Sequence, residues 1–183
     1  MFSFVQLTRF EYEEPKILNL VIVASNGSAT SCAEFYLSPD GLRSIGAEIE
    51  KSVVHGPGRH RVFEYGTDIP HSRFVSYLLL QTVKEREMHS FHFQKRPCAG
   101  LRIRMDNNGN PDPDCTEYQL TDFTIRTTPD RLMALAGMVS RFAELKDNRL
   151  YWDESCELLD TKSFVPSTRG GSMLRQSLAL LPA

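Results

Sequence analysis

No C-x-x-C pair joins the four cysteines of this chain, which stand far apart at Cys32, Cys98, Cys115 and Cys156. That spacing excludes a zinc knuckle, which needs two thiolates on one tight turn. Without a secretory signal, scattered cysteines read as reduced thiols and not as a disulfide framework. Charge of one sign is also missing: the net charge is −2, whereas a general nucleic-acid binder carries a strongly basic domain. Long apolar runs are absent too. Leu20–Ala24 and Tyr77–Leu80 fall far short of the ~20 residues that cross a bilayer. The segment Met1–Arg9 has no basic n-region, no continuous apolar stretch and no small-residue cleavage site. The expectation is a cytoplasmic protein with no membrane and no nucleic-acid partner, although leaderless export would leave the same sequence.

Catalytic signatures are equally scarce. There is no G-x-S-x-G elbow and no Walker loop, and Gly56-Pro57-Gly58 lacks a phosphate-cradling lysine. A metal-dependent nuclease would need a second acid and a lysine two residues on. After Pro111-Asp112 the acid could be Glu117, but Gln119 holds the lysine position. The oxygen-rich loop Asp106–Asp114 places Gly109 fourth and Pro111 sixth, where a calcium-binding EF-hand needs glycine at six. It reads as a strand connection. His89 and His92 are three apart on an expected strand and point to opposite faces. His55, His60 and His71 sit in expected loops. No catalytic residue, metal site or cofactor is assigned.

What is present is a pattern that occurs twice. A strand-like run, a Ser/Thr-Pro-Asp corner and an amphipathic helix appear first over Ala33–Leu37, Ser38-Pro39-Asp40 and Leu42–Val53. They return over Asp122–Arg126, Thr128-Pro129-Asp130 and Leu132–Leu145. Ser38 and Thr128 suit the N-cap, and proline suits the first helical position, where its missing N–H has no partner to lose. Leu42, Ile45, Ile49 and Val53 fall on one helical face; Leu132, Leu135, Ala136, Val139, Phe142 and Ala143 fall on the other's.

Around these helices the chain reads as strands. Ile17–Ala24 and Cys32–Leu37 form a hairpin across Asn26-Gly27. A meander follows through Val62–Tyr65, Phe74–Val83, Met88–Gln94 and Leu101–Met105, the last alternating with Arg102 and Arg104. Tyr118 and Leu120 share one parity while Phe123 and Ile125 share the other, which predicts a β-bulge near Thr121-Asp122. The fold class expected is α+β: one curved antiparallel sheet, hairpin plus meander, packed against two amphipathic helices. Residues 1–150 form this domain and 151–183 an extension. In that tail Pro166–Ser172 reads as a linker and Leu174, Leu178 and Leu181 form a small apolar set.

The order of elements is similar to that of the small WapI-type immunity proteins of bacterial polymorphic toxin systems. The similarity rests on Ala33-Glu34-Phe35-Tyr36 before the first helix and on Asp122-Phe123-Thr124-Ile125 before the Pro129-Asp130-Arg131-Leu132 helix, over Leu18–Leu145. It implies a non-enzymatic protein that binds and blocks a toxin domain, commonly through an acidic surface. The net charge of −2 departs from that habit.

The leading expectation is therefore a protein-binding domain of the immunity type. Its partner surface would be the strand face around Arg102 and Arg104, the loop with Asn108 and Asp112, and aromatic anchors at Tyr151 and Trp152. One competitor is a small-molecule-binding or enzymatic domain with a pocket enclosed by the curved sheet, using Asp122 and His92 as an acid–base pair. Another is a homo-oligomer assembled through Met173–Ala183.

Overall fold

A computed structural model of the chain describes residues 3–10, 16–56, 60–66, 77–84, 99–106 and 120–153. The Asn26-Gly27 corner turns as the sequence demands. Gly27 adopts φ +87°, a left-handed conformation that glycine reaches without a Cβ penalty. The Asn26 carboxamide oxygen accepts from the backbone N–H groups of Ser28 and Ala29, at 3.0 and 2.8 Å. The corner joins β2 (Leu18–Asn26) to β3 (Thr30–Leu37), with Leu18 opposite Leu37 and Ser25 opposite Thr30. Both helices start at their Pro-Asp corners. Ser38 Oγ accepts from the Gly41 N–H at 3.1 Å to open α1 (Pro39–Val54), and Thr128 Oγ1 accepts from the Arg131 N–H to open α2 (Pro129–Phe142).

Strand β1 (Ser3–Phe10) pairs with β2 on one side and with β8 (Arg149–Trp152) on the other. Strand β4 (His60–Tyr65) pairs with β5 (Leu78–Lys84), β5 with β6 (Ala99–Asp106), and β6 with β7 (Leu120–Thr127). All pairs are antiparallel. The expected single sheet is two: sheet A in the order β3-β2-β1-β8, and sheet B in the order β4-β5-β6-β7.

The two sheets are built alike. Three strands in sequence, a helix and a final strand make one unit, β1-β2-β3-α1-β4; the second unit is β5-β6-β7-α2-β8. In each unit the final strand leaves its own sheet and pairs with the first strand of the other: β4 lies beside β5, and β8 beside β1. The registers correspond, Val5 opposite Trp152 in one sheet and Leu78 opposite Tyr65 in the other. This exchange ties the halves together, and the inner faces of both sheets and both helices share one core.

The helices touch where the equivalent positions Gly46 and Ala136 meet. A Cβ on residue 46 would stand 2.9 Å from the Ala136 carbonyl oxygen, so glycine there permits close approach. The helix faces are as the periodicity predicts: Leu42, Ile45 and Ile49 on α1, and Leu132, Leu135, Ala136, Val139, Phe142 and Ala143 around α2, are buried.

One local expectation changes. The bulge predicted at Thr121-Asp122 is absent, because β7 keeps one register against β6 from Leu120 to Thr127. Phe123 and Ile125 point inward, and Thr121 shares their face and hydrogen-bonds Ser31 of β3. A hydroxyl pair occupies the position at which the parity argument sought an apolar side chain. The register shift lies instead in β4, between Arg61 and Phe63; there the consecutive Val62 and Phe63 both pack on the core. A strand over Met88–Gln94 lies outside the described residues, and β5 has β4 and β6 on its two sides. Strand β8 spans Arg149–Trp152, and its Leu150 and Trp152 belong to the core.

Candidate interaction surface

Alternation along β6 sends Leu101, Ile103 and Met105 into the core and Arg102 and Arg104 to the outer face of sheet B. On β7 the same alternation puts Asp122, Thr124 and Arg126 beside them. Arg104 lies opposite Asp122, Arg102 opposite Thr124, and Gly100 opposite Arg126.

Arg102 reaches diagonally to Asp122 with both prongs of its guanidinium, Nε to Oδ1 at 2.8 Å and Nη2 to Oδ2 at 2.5 Å. That hydrogen bonding, with the charges of Arg102 and Arg104, holds the Asp122 carboxyl below the usual carboxylate range against a smaller opposing effect of burial. Arg104 places its guanidinium carbon 5.8 Å from the centre of the Tyr77 ring, a cation–π contact. The Tyr77 hydroxyl donates to Glu64 Oε1 at 3.2 Å, and Arg61 binds the other oxygen of that carboxylate. Arg126 is exposed. The described part of this face therefore carries Arg61, Arg102, Arg104 and Arg126 against Glu64 and Asp122, a cationic balance on a chain whose total charge is negative.

Next to Arg126 lies an open cleft of about 590 Å³, lined by Ser3, Asn26, Ser28, Thr124 and Arg126. It runs from the outer face of β7 to the β2–β3 corner and the start of β1. Its lining is hydroxyl, carboxamide and guanidinium, which suits a small polar or anionic group better than an apolar one.

The corresponding face of sheet A differs in kind. Where sheet B has Arg102 and Arg104, sheet A has Val21 and Val23, both 0% exposed. One backbone plan thus carries an arginine-bearing face and a buried apolar one.

Arg102 and Arg104, picked out in the sequence, do stand together. Asn108 and Asp112 lie outside the described residues. Tyr151 and Trp152 are neighbours on a strand and so point to opposite faces. Trp152 is 2% exposed in the main core, and Tyr151 stacks on Phe4 of sheet A with ring centres 5.6 Å apart. Within the chain both are packing residues rather than projecting anchors. Sequence reasoning missed Arg126, Thr124 and Tyr77 as members of the surface, although the Asp122-Thr124-Arg126 alternation was available to find the first two. For the proposed acid–base pair, Asp122 is engaged by Arg102, and His92 lies outside the described residues. Among the described residues no three His, Cys, Asp or Glu side chains gather as a metal site would require, and no helix is long and apolar enough to cross a membrane. No protein-family model, no curated protein and no solved structure matches this chain.

Proposed function

We propose that the chain is a non-enzymatic protein-binding module that engages an acidic partner surface through the outer face of sheet B. The observation carrying this reading is the grouping of Arg102, Arg104 and Arg126 on the outer face of two adjacent strands. Arginine suits such a surface, because its planar fork pairs with two carboxylate oxygens at once. The Arg102–Asp122 and Arg104–Tyr77 contacts hold two of these side chains in place before a partner arrives, which lowers the ordering cost of binding. Within this reading the biological role is that of an immunity-type inhibitor in the cytoplasm: it covers a toxin domain by shape and charge, in keeping with the family resemblance.

The test is affinity purification from the native cell with the wild-type chain and with the Arg104→Glu/Arg126→Glu double variant. One stoichiometric partner should co-purify with the wild type and be lost with the double variant, whose circular dichroism and melting temperature stay unchanged. If that partner is a toxin, co-expression should relieve its growth inhibition, and the double variant should not. Retention of the same partner by the double variant would refute the assignment of this face.

A second reading, a small-molecule-binding domain, is favoured by the cleft beside Arg126. Thermal-shift screening with small carboxylates and phosphates tests it: a stabilising ligand whose effect disappears in Arg126→Ala would support it.

A further inference from the structure

We infer that the outer face of sheet A is the docking surface for the chain's own C-terminal segment, residues 173–183. This inference is independent of the partner proposed for sheet B.

The face is built from Phe4 and Phe10 of β1, Val21 and Val23 of β2, and Tyr151 of β8, with Cys32 of β3 packed at its edge. Phe10 is 2% exposed, and Val21 and Val23 are 0% exposed. A sheet face cannot reach those values without a layer over it, because the side chains of one face stand side by side and leave their tips bare. Both helices pack in the other cluster, on the inner faces of the two sheets, and no residue of sheet B joins this one. The described elements therefore supply no covering layer. The exposures are those of a single chain, so the cover belongs to this chain and not to a second copy.

Position selects the segment. Residues 67–76, 85–98 and 107–119 connect strands of sheet B, and 57–59 connects α1 to sheet B. Residues 11–15 lie between β1 and β2 in the sequence and are too few to cross four strands. Residues 154–183 leave from the end of β8, the edge strand of sheet A that carries Tyr151 on this very face. In that sequence Leu174, Leu178 and Leu181 recur at helical spacing. A helix over 173–183 would span roughly 16 Å, close to the roughly 14 Å width of four strands. The linker 154–172 is long enough, at up to ~3.3 Å per residue, to reach any part of the sheet.

The chemistry of the face agrees. The one cation placed on it by β8 is engaged within the face: Arg149 Nε donates to Gln6 Oε1 at 3.0 Å, and Arg149 lies over the Tyr151 ring at 5.5 Å. An apolar helix face, not a charged one, fits such a surface.

The experiment uses the full chain with Leu178→p-benzoylphenylalanine, irradiated and mapped by mass spectrometry. Cross-links within one chain to the peptides of β1, β2 or β8 are expected. Links only to the helices or sheet B, links between chains, or no link at all would overturn the assignment. A second measurement follows Cys32 in a Cys98→Ser/Cys115→Ser/Cys156→Ser background. Replacing Leu174, Leu178 and Leu181 by aspartate should raise the rate of thiol modification at Cys32 at least tenfold in a chain whose near-ultraviolet circular dichroism is retained. An unchanged rate in that folded variant would equally refute the docking.

Discussion

Thr121 Oγ1 and Ser31 Oγ share a hydrogen bond between two positions 90 residues apart that occupy the same place in the two halves of the fold. Ser31 sits opposite Ala24 on β2, and Thr121 opposite Met105 on β6. The same separation relates Leu42 to Leu132, Ile45 to Leu135, Gly46 to Ala136 and Ile49 to Val139, all on the buried faces of the two helices. Two of these pairs meet directly, Thr121 with Ser31 and Gly46 with Ala136.

Thr121→Val should therefore destabilise the protein by about 1–2 kcal/mol, because it leaves the Ser31 hydroxyl, only 7% exposed, without that partner. Ser31→Ala/Thr121→Val should cost less than the sum of the single changes. Urea denaturation of all four proteins tests the coupling, and simple additivity would show the pair to be incidental.

Gly46→Ala should cost about 1–3 kcal/mol through overpacking. The new methyl would stand 2.3 Å from Ser140 Oγ and 2.9 Å from the Ala136 carbonyl oxygen. Ser140→Ala in the same chain should recover only part of the loss, since a hydroxyl can be removed but the helix backbone cannot retreat without separating α1 from α2. Full recovery would mean that the backbone contact is soft.

Arg9→Met should loosen β8 before the rest of the sheet. The Arg9 side chain donates to the Leu145 carbonyl at 3.1 Å and to the Asn148 carboxamide, and its backbone N–H donates to the Asn148 carbonyl at 2.8 Å. It thereby holds the corner in which Leu145 adopts φ +61°, a conformation that disfavours a side chain. Hydrogen exchange at Leu150 and Trp152 should accelerate more than at Leu20 and Ile22. Equal acceleration would show that β8 opens only with global unfolding.

Asp122→Asn should flatten the acid limb of stability. The Asp122 carboxyl is held below the usual range, first by the Arg102 hydrogen bonds. Its contribution is thus present above the ordinary carboxylate value of about 4 and is lost as pH falls through the lower folded value. Melting temperatures of the wild type and Asp122→Asn should differ most at pH 5 and above and converge under stronger acid. A constant offset across that window would mean that the pair adds nothing pH-dependent.

Much of the local structure was legible because it is set by neighbouring residues. Asn26-Gly27 specifies its corner through φ and an Asn side chain. Ser38-Pro39-Asp40 and Thr128-Pro129-Asp130 start helices through capping, and spacing alone assigns their buried faces. The candidate surface was half legible: Arg102 and Arg104 follow from alternation on one strand, whereas Arg126 joins them only once β6 and β7 are in register. The unbroken apolar run Leu20–Ala24 also held a signal that was not used, since a strand buried on both faces loses its alternation.

The sequence by itself determined the turn at Asn26-Gly27, where the two helices begin and which side of each helix is apolar, because those depend on φ/ψ preference, capping and period. Only the tertiary structure decided that the strands divide into two sheets, that β4 and β8 change places, and that Trp152 and Tyr151 are both covered though they point to opposite faces. Strand partners far apart in sequence leave no local mark. Their pairing is seen only once the chain is folded, with α1 and α2 meeting at Gly46 and Ala136 and each final strand beside the first strand of the other half.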